Sequence, residues 1–190
     1  MASKQAPEAN NGAPVKVGIV VASLGRPEIL GSLLKDLARQ SRPADQIILS
    51  VTKPADLPQQ WDRSDNLQVV IGSKGSCVQR NRGIDLLVDT CDLIFFCDDD
   101  YVPSRFAVER LVALFAANPD IAGATGHLLA DGVNSPGISV GRAHMIMEEY
   151  DRREAPPAVV YRDLAGIGLG LDLTELYARE GITENLAPIV

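Results

Sequence analysis

Asp92-Leu93-Ile94-Phe95-Phe96-Cys97-Asp98-Asp99-Asp100-Tyr101-Val102-Pro103 is a short apolar run that ends in three consecutive carboxylates and then a proline. An apolar run of this length reads as a strand buried on both faces. Pro103 cannot continue a central strand, so the acids stand where the strand leaves its sheet. Side-chain alternation predicts Asp98 and Asp100 on one side and Asp99 on the other. Carboxylates crowded at the edge of an apolar core repel one another unless something positive stands between them. A hard divalent cation with oxygen ligands is the simplest answer. The plain alternative is a solvated acidic turn, and the cost of unpaired charge beside a buried strand weighs against it.

Working outward from that stretch, a second buried strand is predicted over residues 15–22, followed by the turn Ser23-Leu24-Gly25-Arg26-Pro27. Pro27 suits a first helical position and Glu28 a first turn. Leu30, Leu33, Leu34 and Leu37 then recur at helical spacing, and the helix is expected to end near Ser41. Strands are predicted over residues 46–52 and 67–71. Residues 53–66 between them read as a loop, with Trp61 as a local packing anchor. Ser76 and Gln79 match a capping box. The helix they open carries an apolar stripe at Ile84, Leu87, Val88 and Cys91. Arg80 lies on that stripe near the helix start, where a cation opposes the helix dipole unless it faces an anion. The acidic stretch or a bound phosphate would serve; a snorkelling arginine is the plain alternative. Ser104 is expected to cap a further helix bearing Val108, Leu111, Val112 and Phe115, and residues 121–129 form a further strand.

This order of elements predicts an α/β fold with a mostly parallel central sheet flanked by helices. Such sheets bind ligands at the carboxyl ends of their strands. Ser23, Lys53, residues 72–75 and Asp98, Asp99 and Asp100 all fall at such ends. Beyond Asp131 the pattern weakens. Met145 and Met147 alternate, which mildly favours a strand over residues 141–150, and residues 173–180 read as a weak helix.

The chain has 190 residues, 46% of them hydrophobic, which suits one domain with a real core. Three regions are expected: a disordered leader (1–14), an α/β domain (15–130) and a partial or divergent region (131–190). The formal net charge of −7 argues against a nucleic-acid partner bound through a basic face. Cys77, Cys91 and Cys97 have no metal-type spacing and read as reduced thiols, mostly small core residues, of a cytoplasmic protein. No apolar run is long enough for a membrane span.

Three segments taken together resemble the family 2 glycosyltransferases, which have the GT-A nucleotide-sugar-binding fold. They are residues 19–28 with the leucine helix and 40–48, residues 75–84 with Arg80-Asn81-Arg82-Gly83-Ile84, and residues 94–103 with the three acids. The resemblance covers residues 15–130. It implies transfer of a sugar, with inversion, from a nucleoside diphosphate sugar to a saccharide, lipid or other hydroxyl acceptor, with peripheral membrane association left open. Ser23, Arg26, Lys53, Arg80, Asp98 and Asp99 are the nucleotide-sugar-binding residues it implies. Asp98 and Asp100 match the Asp-x-Asp pair that holds a divalent metal, Mn2+ or Mg2+, on the diphosphate. The family's later carboxylate base has no recognisable counterpart. Tyr161-Arg162-Asp163-Leu164-Ala165-Gly166 resembles the approach to the acceptor loop, and residues 167–190 depart from the pattern, as expected of a truncated, frame-shifted or divergent member. Two rivals stand beside this reading. One is a catalytically impaired nucleotide-sugar-binding module or remnant. The other is a haloacid-dehalogenase-like phosphatase, whose Asp-x-Asp motif normally follows the first strand rather than about the fourth.

Overall fold

The computed structural model describes residues 14–61, 64–126 and 137–152, with the backbone of residues 158–161. At its centre lie β1 (Val17–Ala22), β2 (Gln46–Val51), β3 (Leu67–Ile71) and β4 (Leu93–Asp98). They form a parallel sheet in the order β3-β2-β1-β4. Around it stand α1 (Pro27–Ala38), α2 (Ser76–Leu87) and α3 (Ala107–Ala117). The expected α/β class, with helices flanking a parallel sheet, is the one observed.

Strand alternation assigns each residue its layer. Val17, Ile19 and Val21 of β1 share one face with Ile47 and Leu49 of β2 and Cys97 of β4. They pack against Leu30, Leu33, Leu34 and Leu37 of α1 and against Val108 and Val112 of α3. Full burial of one leucine stabilises by about 1.5–3 kcal/mol, so the leucine stripe is the main adhesive of α1. Trp61 is partly buried against this same core, as a packing anchor should be. Val20 and Ile48 point the other way and meet Leu87 of α2.

That second face departs from the predicted stripe. The buried residues of α2 are Gln79, Gly83 and Leu87, and Val88 is exposed. The helix lies too close to β1 for side chains: a Cβ on Gly83 would fall 2.5 Å from Val20 Cγ1. Hydrophobic periodicity gives no weight to a glycine, so the true contact face was hidden. The capping box is also shifted. Gly75, at φ +136°, is the N-cap, and the Gln79 side chain accepts from Gly75 N at 3.3 Å while Ser76 is already helical. Likewise α3 starts at Ala107, after its predicted cap Ser104. The Ser104 hydroxyl instead accepts from Phe106 N at 3.1 Å and donates to Asp151.

Residues 140–151 form a helix rather than the mildly favoured strand; this is α4 (Val140–Asp151). Ser139 caps it by accepting from Arg142 N at 3.2 Å. Ala143, Ile146, Met147 and Tyr150 face inward at helical spacing, which outweighs the two alternating methionines. The strand predicted over 121–129 is observed as β5 (Gly123–Gly126), and residues 127–129 lie outside the described residues. It pairs antiparallel with β6 (Ala158–Tyr161) in a separate two-stranded sheet. Of the cysteines, Cys97 is buried, where desolvation pushes its thiol up; Cys91 is half-buried, and Cys77 is exposed rather than in the core. The predicted leader up to residue 13, residues 162–166 of the acceptor-loop approach, everything beyond them and the helix over 173–180 lie outside the described residues. No helix among the described residues is long and apolar enough to cross a membrane.

Candidate functional site

The chain runs outward from β1 to β2 to β3, and α2 then carries it back to β4 on the far side of β1. Strand order therefore reverses between β1 and β4. In open parallel sheets a crevice opens at such a point, beyond the carboxyl ends of the strands. Ala22 is in register with Asp98 at that end, so Ser23 and the acids emerge side by side. Both α1 and α2 begin at this edge, and their unpaired N-terminal amides favour negative charge there.

Alternation places Asp98 with Ile94 and Phe96 on the α2 face of the sheet. There its Oδ1 receives Arg80 Nη2 at 2.5 Å. Of the two anions that could explain Arg80, the acidic stretch is the one it meets. Asp99 turns the other way and is 1% exposed. Ser23 Oγ donates to Asp99 Oδ2 at 2.7 Å, and Arg26 Nε reaches the same oxygen at 3.3 Å. Asp99 Oδ1 has no hydrogen bond of acceptable geometry and is neutralised by its ionic contact with Arg26 Nη2. Asp100 does not continue the alternation. The strand stops at Asp98, and Tyr101 N closes a turn onto Asp98 O at 3.1 Å. The turn leaves Asp100 beside Asp99, where Arg26 Nη1 meets its Oδ2 at 2.8 Å. Desolvation lowers the Arg26 pKa, but Asp100 and Asp99 outweigh it and hold the guanidinium above its ordinary value.

The positive charge that the acidic stretch demands is thus supplied by two arginines of the chain itself. Asp98 and Asp100 are 58% and 56% exposed, and each keeps one carboxylate oxygen without a protein partner among the described residues. Each of these two acids is held by its own arginine, and among the described residues no group of three or more His, Cys, Asp or Glu side chains is gathered that could hold a metal ion. Lys53 does not join this group. It stands exposed at the end of β2, where its backbone N–H donates to Asp56 Oδ2 at 3.2 Å and its carbonyl accepts from Asp56 N at 3.0 Å.

Three residues that shape the crevice were not assigned that role from the sequence, which placed Gln79 only in a capping box and Arg82 only in the family-like segment. Gln79, 3% exposed, donates from Nε2 to Ser23 O at 2.9 Å and to Ser50 O at 2.7 Å. It thereby ties the ends of β1 and β2 to the start of α2. Arg82 donates to Ser50 Oγ at 2.9 Å and to Ser73 O at 3.2 Å, joining β2 to the loop after β3. Asp56 is fully buried and accepts from Gly25 N, Thr52 N, Thr52 Oγ1 and Lys53 N at 2.6–3.2 Å. Burial pushes its pKa up, yet these hydrogen bonds prevail and hold it below the usual carboxylate range. Gly25, at φ +69°, can present its N–H to Asp56 in a conformation that side-chain-bearing residues resist. The available signal for Asp56 was an acid three residues after Lys53 and two after Pro54, in the pattern of a helix start.

No protein-family model matches the chain, and no curated protein matches it.

Proposed function

We propose that the crevice between β1 and β4 binds a nucleoside diphosphate sugar and that the chain is a metal-dependent, inverting glycosyltransferase. One observation carries this reading. Ser23, Arg26, Arg80, Asp98, Asp99 and Asp100, which the family resemblance singled out from separate parts of the sequence, meet at the sheet's switch point. Departure of a nucleoside diphosphate concentrates negative charge on the leaving oxygens, and groups held in place to receive that charge lower the barrier. Arg26 and Arg80 are the chain's cations for that purpose, assisted by the N-termini of α1 and α2. Ser23 holds Asp99, and through it Arg26, in position. Asp98 and Asp100 would hold the metal, which when bound supplies Lewis-acid neutralisation of the diphosphate.

The acceptor side supports less. An in-line displacement needs a carboxylate to take the acceptor's proton. Glu148 and Glu149 lie exposed on α4. Asp151 is committed elsewhere, receiving Ser104 Oγ, Arg105 N at 3.0 Å and Arg110 Nη1 at 3.0 Å. Asp163, Glu175 and Glu184 lie outside the described residues. The commitment of Asp151 favours a second reading, a nucleotide-sugar-binding module without transfer.

Calorimetry with a panel of nucleoside diphosphate sugars, with and without Mn2+, tests the proposal. Binding that needs Mn2+ and vanishes in the Asp98→Ala/Asp100→Ala variant is the expected result. Binding indifferent to both, or none at all, would remove the proposal. Sugar transfer by the same protein separates enzyme from binding module, and hydrolysis of an aryl phosphate to phosphate and the phenol would point to the phosphatase instead.

A further inference from the structure

We infer that the outer edge of β3 is an interface between two copies of this chain, which pair antiparallel about a twofold axis at Val69 and join their four-stranded sheets into one. β3 ends the sheet, and among the described residues no strand borders it on the far side. Ile47 N donates to Asn66 O at 2.7 Å and Gly72 N to Val51 O at 3.1 Å, so Asn66 and Gly72 turn these groups toward β2. By alternation the peptide groups of Leu67, Val69 and Ile71 face away from it. Ser64 O takes the Leu67 N–H at 3.0 Å. That leaves the Leu67 C=O and both groups of Val69 and Ile71 to an incoming strand. Edges of this kind are normally blocked by a charge or a proline, and Leu67-Gln68-Val69-Val70-Ile71 holds neither. Ile71 is 50% exposed. On α2, Val78 and Leu86 stand one turn to either side of Arg82 and are exposed too. Arg82 reaches Ser73 O and lies against Gly72, so this apolar ridge borders the same edge.

A second copy is the occupant that the chemistry selects. Pairing about Val69 sets Leu67 of one copy opposite Ile71 of the other. The outward groups then match: Val69 N–H meets Val69 C=O in both directions, and Ile71 N–H meets Leu67 C=O in both. Leu67, Val69 and Ile71 of the two copies line up as one apolar row. At each end the exposed Asp65 of one copy falls opposite Ser73, next to the exposed Lys74 of the other, so the flanking charges are complementary. The β4 edge behaves differently. In registers centred on β4, or one step to either side, Asp92 of one copy falls opposite Asp98, Asp99 or Asp100 of the other, and like charges across a strand pair repel. Self-pairing is therefore confined to β3. Five residues a side lie at the low end of interface size, so the dimer is weak and concentration-dependent. Because the paired strands run in opposite directions, the two β1–β4 crevices open on opposite rims of the joined sheet.

Sedimentation velocity of the full chain over a concentration series tests this, with a thermal melt of each variant to verify folding. Wild type is expected to pass from monomer to dimer and no further. Gln68→Lys places a charge on the edge at an exposed position. Ile71→Pro removes an N–H that faces away from β2, and with it two of the bonds between copies. Each is expected to weaken dimerisation about tenfold. Asp65→Lys is expected to weaken it about twofold, and Asp65→Lys/Lys74→Asp to restore it. Phe96→Ser, at an exposed position on β4, is expected to change nothing. In hydrogen exchange the amides of Val69 and Ile71 are expected to gain protection as concentration rises. A chain that stays monomeric at every concentration overturns the inference, and so does open-ended aggregation. A dimer indifferent to either β3 substitution, not restored by the charge exchange, or dispersed by Phe96→Ser overturns it equally. None of these readouts involves the crevice, so the glycosyltransferase proposal stands or falls separately.

Discussion

The two flanks of the crevice are held by different physics. On the β2–β3 flank, Gln79, Arg82 and Asp56 bind backbone carbonyls, amides and hydroxyls at the ends of three elements, and Gln79 and Asp56 do so out of contact with water. On the β4 flank, Asp98 and Asp100 meet guanidinium groups in solvent. Buried hydrogen bonds are expensive to break because each leaves a desolvated partner behind. Exposed ion pairs are cheap to break because water takes over. The first flank is costly to rearrange and the second is not. Asp99 stands between them, on the ionic side by its charge and on the fixed side by its burial.

Substitutions on the fixed flank should therefore register in stability, and those on the ionic flank in binding. Asp56→Ala should have the largest effect, a loss of about 3 kcal/mol in urea unfolding, because it orphans three backbone amides and a hydroxyl. The same residue sets a pH dependence. Its folded pKa lies below the unfolded one, so its contribution is present above about pH 4 and is lost as pH falls through the lower folded value. Wild type should accordingly lose stability on acidification more steeply than Asp56→Ala; equal acid slopes would deny Asp56 that role.

Gln79→Met keeps the volume and removes the amide, leaving Ser23 O and Ser50 O unpaired by it; about 2 kcal/mol should be lost. A loss near zero would show that the two strand ends need no such tie. Gly83→Ala sets two terms against each other. Helix propensity favours alanine by about 1 kcal/mol, whereas overpacking costs about 1–3 kcal/mol. With 2.5 Å to the buried, β-branched Val20, the clash wins and a net loss of about 1 kcal/mol is expected in thermal melts. Asp98→Ala should be the mildest, below about 1 kcal/mol, while abolishing Mn2+-dependent ligand binding. If it unfolds the protein instead, the contrast between the flanks is wrong.

The strands and the first and third helices could be read from the sequence because their contacts are apolar and periodic. Leu30, Leu33 and Leu37 announce which side of α1 is covered, and the run through Leu93 and Phe95 announces a buried strand. The contact face of α2 could not be read, because Gln79 and Gly83 are buried for a hydrogen bond and for lack of a side chain. The departure of β5 from the main sheet was equally silent, since local pattern does not state which strand will be the partner. In the site, the three acids were conspicuous as a run. Their division between two arginines follows from register and from the turn at Asp98, neither of which composition records. Asp100 was misplaced because alternation was extended past the last residue of the strand.

The pairing of β1 with β4 joins residues 76 positions apart, Ser23 to Asp99 among them. Contacts of such long range close late, after the loop entropy of everything between them has been overcome. During synthesis the first three strands can assemble while the acids are still inside the ribosome. The crevice between β1 and β4 is therefore the final product of folding this sheet, and a slow or failed last strand would leave a chain with most of its core but without Asp98, Asp99 and Asp100 in place.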